Sequence, residues 1–170
     1  MVGGFIKKKG FLMILVTLGT QDKTFVRLLE KIDQLIKQGL IKDKVIVQSG
    51  FTKYSSQNME IFDLIPQDEF NFLMDKADLI ITHGGVGNIL SALEKNKKVI
   101  AIPRLAKYGE HINDHQTQII AKFNSLGYII GLQDVEELAE ALTKVKKFKP
   151  NKFVHDNSKM LNLVSKLIDK

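Results

Sequence analysis

Two kinds of segment alternate along this chain. Short runs of nearly continuous apolar residues are typical of buried strands, and longer stretches with apolar positions three or four residues apart are typical of amphipathic helices. The predicted strands are 13–18, 44–48, 60–65, 78–82, 98–102 and 128–131. The predicted helices are 24–38, 68–76, one opened by the glycines at 84–87, 111–126 and 135–146.

The strands lack polar alternation and are separated by helices. This pattern predicts an α/β fold, a Rossmann-like parallel sheet with helices on both faces. A chain of 170 residues suggests one domain, which we expect over 13–150. Pro150 then breaks the chain, and 151–170 is predicted to form a C-terminal amphipathic helix. That helix either packs on its own domain or docks on a partner subunit.

Composition narrows the function classes. The absence of cysteine excludes disulfides and thiolate metal sites. The net charge of +6 suits a phosphorylated ligand or work beside an anionic membrane. No basic face is rich in aromatic residues, so no nucleic acid partner is expected. The basic, then apolar start of the chain imitates a signal peptide, but it ends in Gly19-Thr20-Gln21-Asp22 without a cleavage pattern and is better interpreted as a strand.

A glycine cluster between a strand and a helix is the most informative feature of the chain. Gly84, Gly85 and Gly87 lie directly after the strand 78–82. Glycine lets backbone N–H groups approach a ligand, and a helix start adds unpaired donors and a partial positive charge. Together they predict a site for a phosphate or a diphosphate. A tight turn that binds nothing is the alternative.

Two common nucleotide motifs do not fit this cluster. A Walker A loop requires Lys-Ser/Thr after the last glycine, where this chain has Asn88-Ile89. A dinucleotide fingerprint requires a third glycine at Leu90 and an acid after the next strand, which ends instead in Pro103-Arg104. We therefore expect no nicotinamide cofactor.

Histidines near these loops are candidate site residues. His111 and His115 are spaced to share one face of the predicted helix 111–126, beside Glu110 and Asp114. No third ligand is evident, so no metal site is expected. His83 either donates to a phosphate or sugar oxygen or serves as a core or capping histidine.

Three segments resemble a known family. They are 82–85, Pro103-Arg104 and, most specifically, the Gly-Glu-His-Ile-Asn-Asp-His-Gln segment at 109–116. The chain is similar over roughly 13–146 to the C-terminal, donor-binding domain of the family 28 glycosyltransferases, one half of a GT-B fold. It resembles stand-alone versions of that domain, such as small subunits of two-part UDP-N-acetylglucosaminyltransferases and bacterial counterparts in exopolysaccharide synthesis.

The resemblance implies a donor-binding set. Its members are Gly19, Thr20, His83, Gly84, Gly85, Gly87, Asn88, Ser91, Glu94, Arg104, Glu110, His115 and Gln116. In the family, the loop of the first strand approaches the diphosphate and the transferred sugar, and the glycine cluster holds the diphosphate. The pair His115-Gln116 lies near the sugar hydroxyls, with Gln116 the direct partner, and backbone within 65–70 holds the uracil.

One position departs from the family pattern. Many relatives carry a glutamate for the ribose hydroxyls where this chain has Ser91. The serine lacks the two oxygens of a carboxylate, and Glu94 is a candidate substitute.

The function implied is that of a glycosyltransferase subunit that binds a UDP-sugar and needs no cofactor. A separate, membrane-anchored subunit would bind a lipid-linked acceptor in polysaccharide or glycolipid synthesis. The chain would be cytoplasmic and peripheral to the membrane through that subunit. The catalytic base is left unassigned, because in single-chain relatives it belongs to the other half. A non-catalytic nucleotide-sugar-binding module is the alternative, and the length of the chain disfavours an epimerase fragment.

Overall fold

In a computed structural model of the chain, residues 13–154, 162 and 165–166 are described. The strands are β1 (Met13–Thr17), β2 (Lys44–Gln48), β3 (Glu60–Phe62), β4 (Leu79–Thr82), β5 (Lys98–Ala101) and β6 (Ile130–Gly131). The helices are α1 (Val26–Lys37), α2 (Gln67–Lys76), α3 (Val86–Glu94), α4 (His115–Ser125) and α5 (Leu138–Val145). Short 3₁₀ turns lie at Ala106–Tyr108 and Val135–Glu137.

The strands form one parallel sheet in the order β3-β2-β1-β4-β5-β6. The chain winds outward in one direction through β2 and β3 and in the other through β4, β5 and β6. The strand order therefore reverses between β1 and β4, and ligands of such sheets bind at the carboxyl ends of the strands at this point. The predicted Rossmann-like parallel sheet is confirmed.

Both faces of the sheet are buried, which explains the lack of polar alternation in the strands. In β1, Val16 faces a core built with α1 and α5, while Leu15 faces a second core built with α2, α3 and α4. In β4, Ile81 faces the first of these cores and Ile80 faces the second. Apolar side chains at successive positions are thus required on opposite faces.

Every element predicted over 13–150 is present, but several boundaries differ. The third strand ends at Phe62 rather than 65, because the chain turns there to enter α2 after Pro66. The sixth strand covers only Ile130–Gly131. The helix predicted over 111–126 begins at His115.

The late start of α4 has a local cause. The Oδ1 atom of Asn113 accepts a bond from the His115 N–H at 3.0 Å, and that of Asp114 accepts one from the Ala106 N–H at 2.8 Å. Such side-chain bonds to the backbone favour turns over helix. His111 therefore lies before the helix, and the expectation that it shares a helix face with His115 was wrong.

Two residues after Pro150, Asn151 and Phe153, contact the domain. Asn151 donates from its backbone N–H to the Gly127 carbonyl at 2.9 Å and from Nδ2 to the Leu126 carbonyl at 2.8 Å. The Phe153 ring meets Tyr128 edge-on at 5.6 Å. Most of the amphipathic helix predicted over 151–170 lies outside the described residues. Within the described residues, no helix is both long enough and apolar enough to cross a membrane.

A buried carboxylate holds the loop between β2 and β3 against α1. Asp33 is only 6% exposed. It accepts hydrogen bonds from Tyr54 Oη at 2.8 Å, Ser56 Oγ at 2.9 Å and Asn58 Nδ2 at 2.8 Å. Burial acts to raise the pKa of Asp33, but these hydrogen bonds and the charge of Lys37 outweigh it and hold the pKa below its usual value.

This clamp makes stability depend on acid pH. Because the pKa of Asp33 is lower in the folded than in the unfolded chain, its contribution is complete above about pH 4. It is then lost as the pH falls through the folded-state pKa. We expect Asp33→Asn to cost about 1–3 kcal/mol at pH 7 and less at pH 3, as measured by urea unfolding. The exposed Asp63, which pairs with the exposed Lys53, provides the control: Asp63→Asn should change stability little at either pH. An equal loss for Asp33→Asn at both pH values would contradict the ionised clamp.

Candidate functional site

A cleft of about 440 Å³ opens at the carboxyl ends of β1, β2 and β4. The loop after β1 contributes Gly19 and Thr20, and the start of α3 contributes Gly85, Gly87 and Asn88. A neighbouring cleft of about 260 Å³ is lined by residues that include Gly84, His111, His115 and Gln116. The structure thus brings the glycine cluster and the loop after β1 to one edge, as the fold rule requires.

His83 lies between two glycines. Its side chain is buried, with the residue only 4% exposed. A Cβ atom added at Gly19, where φ is +74°, would lie 2.5 Å from Nε2 of His83, and one added at Gly85 would lie 2.4 Å from Cε1. Packing against the imidazole therefore requires these two glycines, independently of any ligand.

Gln116 connects three parts of the site. Its Oε1 atom accepts from the backbone N–H groups of Gly84 at 3.1 Å and Arg104 at 3.0 Å. Its Nε2 atom lies 3.2 Å from Nδ1 of His83. The carboxamide thus ties the loop after β4 to the loop after β5. Direct contact of Gln116 with a sugar stays a prediction, since both ends of its amide contact protein groups.

The imidazole of His83 is uncharged at neutral pH. Burial is the main cause that lowers its pKa to about 3, and the charge of Arg104 adds to the effect. Nε2 of His83 is buried and has no hydrogen-bond partner among the described residues.

Arg104 lies beneath the loop after β1 rather than in the cleft. It is 1% exposed, and it donates from Nη1 to the Lys23 carbonyl at 2.8 Å and from Nη2 to the Leu18 carbonyl. Burial lowers its pKa to about 10, against the opposing charge of Glu110, so it keeps its proton at neutral pH. Through these contacts Arg104 positions the loop after β1. Its direct contact with a donor stays a prediction.

Glu110 is also held inside the protein. Its two carboxylate oxygens accept from Arg27 at 2.9 and 3.1 Å, and Oε1 also accepts from the Leu105 N–H at 3.0 Å. Arg27 bonds Asp134 as well, at 3.0 Å. The Gly109–Gln116 segment is therefore anchored to α1 by the partly buried ion pair of Arg27 and Glu110. As with Arg104, a direct donor contact for Glu110 stays a prediction.

The start of α3 faces the cleft without a capping side chain. Gly85 is the N-cap, and the first intrahelical bond runs from the Ile89 N–H to the Gly85 carbonyl at 3.2 Å. The N–H groups of the first turn therefore have no partner within the helix. Asn88 donates from Nδ2 to Thr17 Oγ1 at 2.6 Å, which fixes the helix start to the end of β1.

Of the two candidate ribose ligands, Ser91 and Glu94, only Ser91 lines the cleft. Ser91 lines the 440 Å³ cleft and is half-buried. Glu94 is exposed at the end of α3 and does not line it. On the opposite wall, Ile65, Gln67 and Phe70 lie where the resemblance puts the base.

Gln48 and Thr17 are residues of this edge that were not predicted from the sequence. Gln48 lines the cleft and accepts from the Ile65 N–H through Oε1 at 2.9 Å. Thr17 holds Asn88 as described. Both are buried polar residues that end an apolar strand, as is Thr82. A polar residue at the end of an apolar strand is the sequence feature that could have identified them, because the carboxyl ends of these strands meet at the site.

Metal-binding residues are not grouped at this edge. Within residues 13–154 and the few described beyond them, no three His, Asp or Glu side chains are arranged to hold a metal ion. His111 instead approaches Gln21, whose Nε2 lies 3.4 Å from its own Nε2, and its Nδ1 accepts from the Asn113 N–H at 3.2 Å.

The strand order and the cleft at its switch point define a Rossmann-like α/β domain of the kind that forms one half of a GT-B fold. The chain belongs to the glycosyltransferase family 28 C-terminal domain, whose family profile matches residues 13–169. The family resemblance drawn from the sequence is confirmed.

Curated relatives and a solved structure agree with this family. The chain is 28% identical to the UDP-N-acetylglucosamine transferase subunit ALG13 of Candida glabrata over 109 residues, which are 63% of this chain and 52% of that protein. It is 26% identical to ALG13 of Candida albicans over 113 residues, 66% of this chain and 37% of the relative. The chain thus spans about half the length of these relatives or less. The solution structure of ALG13 superposes with a TM-score of 0.63 at 22% identity, covering 94% of this chain and 98% of that one, which shows the shared fold.

The packing of His83 gives a paired test. We expect Gly85→Ala to cost about 1–3 kcal/mol of unfolding free energy, because the new methyl collides with the imidazole. Gly87 is the matched control, since a Cβ there meets nothing within 4 Å and alanine is the better helix former. Gly87→Ala should be neutral or stabilising by up to about 1 kcal/mol. Chemical denaturation of both variants measures this, and equal stabilities would contradict the tight seat of His83.

Proposed function

We propose that this chain is the donor-binding subunit of a glycosyltransferase that uses UDP-N-acetylglucosamine. The observation that carries the proposal is a buried, neutral His83 with an unpartnered Nε2, beside the uncapped start of α3, in a cleft at the switch point of the sheet. Family membership supports it, and so do the names of the ALG13 relatives, which specify UDP-N-acetylglucosamine transfer.

In this proposal the donor lies across the cleft from the base wall to the histidines. The diphosphate occupies the space at the start of α3, between Gly19 and Asn88, where backbone N–H groups and His83 can donate to its oxygens. The uracil lies against the wall formed by 65–70, and the ribose lies by Ser91. The sugar extends into the neighbouring cleft beside His115.

The chain's part in the chemistry is to stabilise the leaving group. When the bond from the sugar to the diphosphate breaks, negative charge accumulates on the departing oxygen. Donors that are already oriented toward this charge stabilise it without reorganisation. We propose that the first turn of α3 and His83 provide them, with no cofactor besides the UDP-sugar substrate.

A general base is the part that we do not place on this chain. Among the described residues, none that lines the cleft carries a carboxylate, and the low pKa of His83 makes it a weak base. We therefore propose that a partner subunit provides the base and the acceptor site. A membrane-anchored partner, a lipid-linked acceptor in polysaccharide or glycolipid synthesis, and a cytoplasmic position at the membrane complete the proposal.

The isolated chain provides the first test. We expect it to bind UDP weakly and to transfer no sugar, because it holds a diphosphate site without an acceptor site. Calorimetry with UDP and a radiolabel assay with UDP-N-acetylglucosamine measure both properties, with and without a candidate partner. Turnover by the lone chain would overturn the subunit assignment. UDP binding that never leads to transfer with any partner would favour a non-catalytic nucleotide-sugar-binding module.

The ribose contact provides a second test. A new carboxylate on the cleft wall can accept two hydroxyl hydrogen bonds, so Ser91→Glu should tighten UDP binding by about tenfold. If Glu94 serves as the ribose ligand, Glu94→Ala should weaken binding, and the effects of the two changes should not add. Calorimetry of both single variants and the double variant decides this. Unchanged affinity in both single variants would show that this face of α3 does not contact the ribose.

A further inference from the structure

The carboxamide of Gln116 has only one workable orientation. It is 4% exposed, and its oxygen faces the N–H groups of Gly84 and Arg104. Backbone N–H groups can only donate, so the oxygen must be on that side. The NH₂ group therefore faces Nδ1 of His83, at 3.2 Å, and it can only donate there.

This orientation determines where the proton of His83 lies. An Nδ1 atom that accepts a hydrogen bond carries no proton, so the neutral imidazole holds its single proton on Nε2. Nε2 is the atom that lies against Gly19 and Gly85, where added Cβ atoms would stand 2.5 and 2.7 Å away. It is buried and has no partner among the described residues. A buried donor without an acceptor is costly, and a ligand oxygen would satisfy it.

We infer that Gln116 is a positioning residue that holds His83 in the Nε2–H tautomer, so that its N–H donates to the diphosphate of the donor. The identity of the accepting oxygen rests on the proposed function, whereas the tautomer does not. The other tautomer would present a lone pair at Nε2 to an anionic oxygen. Gln116 thus determines whether His83 attracts or repels the ligand.

The variant Gln116→Glu separates the two functions of the amide. A carboxylate of the same shape still accepts from Gly84 and Arg104, but it cannot donate to Nδ1. His83 must then place a proton on Nδ1, either as the Nδ1–H tautomer or as an imidazolium. The charged or titratable groups that face His83 are Arg104 and His111, together with the new carboxylate. The imidazolium form should therefore dominate only at lower pH.

The ring nitrogens can be observed directly. In the full-length wild-type chain, ¹⁵N NMR of the histidine rings should show His83 protonated on Nε2 alone between pH 7 and 9.5. In Gln116→Glu, Nδ1 should carry a proton throughout this range. A wild-type ring protonated on Nδ1 would overturn the inference without any variant, so the test holds even if Gln116→Glu does not fold.

UDP affinity provides the functional readout. For wild-type protein, His83 should add no pH dependence between pH 7 and 9.5, since its pKa is far lower. For Gln116→Glu, affinity should fall by about tenfold to a hundredfold at high pH, as Nε2 becomes an acceptor, and recover as the pH decreases. A merely structural defect would weaken binding without this recovery.

Gln118→Glu is the matched control. Gln118 is exposed on the same helix, so the variant adds the same charge without touching His83. It should leave the His83 ring signals and the pH profile unchanged. An altered His83 tautomer with unaltered UDP affinity would overturn the positioning role. A wild-type chain that does not bind UDP would overturn the proposed function and the diphosphate contact, while the NMR result would still decide the tautomer.

Discussion

Two buried side chains hold together the loops on which the site depends. A parallel ladder pairs β1, β4 and β5 only as far as their last residues, and beyond this point the backbone groups need other partners. Arg104 provides donors for the carbonyls of Leu18 and Lys23, and Gln116 provides an acceptor for the N–H groups of Gly84 and Arg104. Without these contacts the three loops would carry unsatisfied polar groups in a buried place.

The same contacts determine the electrostatics of the cleft. The guanidinium of Arg104 stays charged beneath the loop, and its charge and the surrounding burial keep His83 neutral. A neutral imidazole whose Nδ1 accepts a hydrogen bond has one donor left, at Nε2. The hydrogen bonds of Arg104 and Gln116 therefore both support the loops and determine the protonation of His83. A substitution that removes these bonds alters both properties. Distinguishing these effects requires a substitution that keeps the acceptor and removes the donor, as Gln116→Glu does.

The sequence predicted the fold well because both faces of the sheet are buried, and apolar runs such as 13–18 and 78–82 are typical of strands in such a sheet. The meeting of Gly19, His83 and the glycine cluster follows from that fold, because the carboxyl ends of parallel strands lie at one edge of the sheet. The positions of Arg104 and Glu110 could not be predicted in this way. A charged residue beside a site is usually assumed to face the ligand, whereas here each is buried against protein partners. The predicted start of α4 was wrong. The side chains of Asn113 and Asp114 accept backbone hydrogen bonds that favour a turn, although the apolar spacing there is typical of a helix.

The net charge of the chain does not describe the charge of the cleft. The net charge is +6, yet among the described residues no Lys or Arg lines the 440 Å³ cleft. The groups that line the cleft and can donate to an anion are instead the N–H dipoles at the start of α3 and one neutral imidazole, while the charge of Arg104 lies buried beneath them. Fixed dipoles attract an anion less strongly than a point charge does, but they are already oriented and need no side-chain ordering. Under the proposed function, such a site would hold the diphosphate during transfer and then release it.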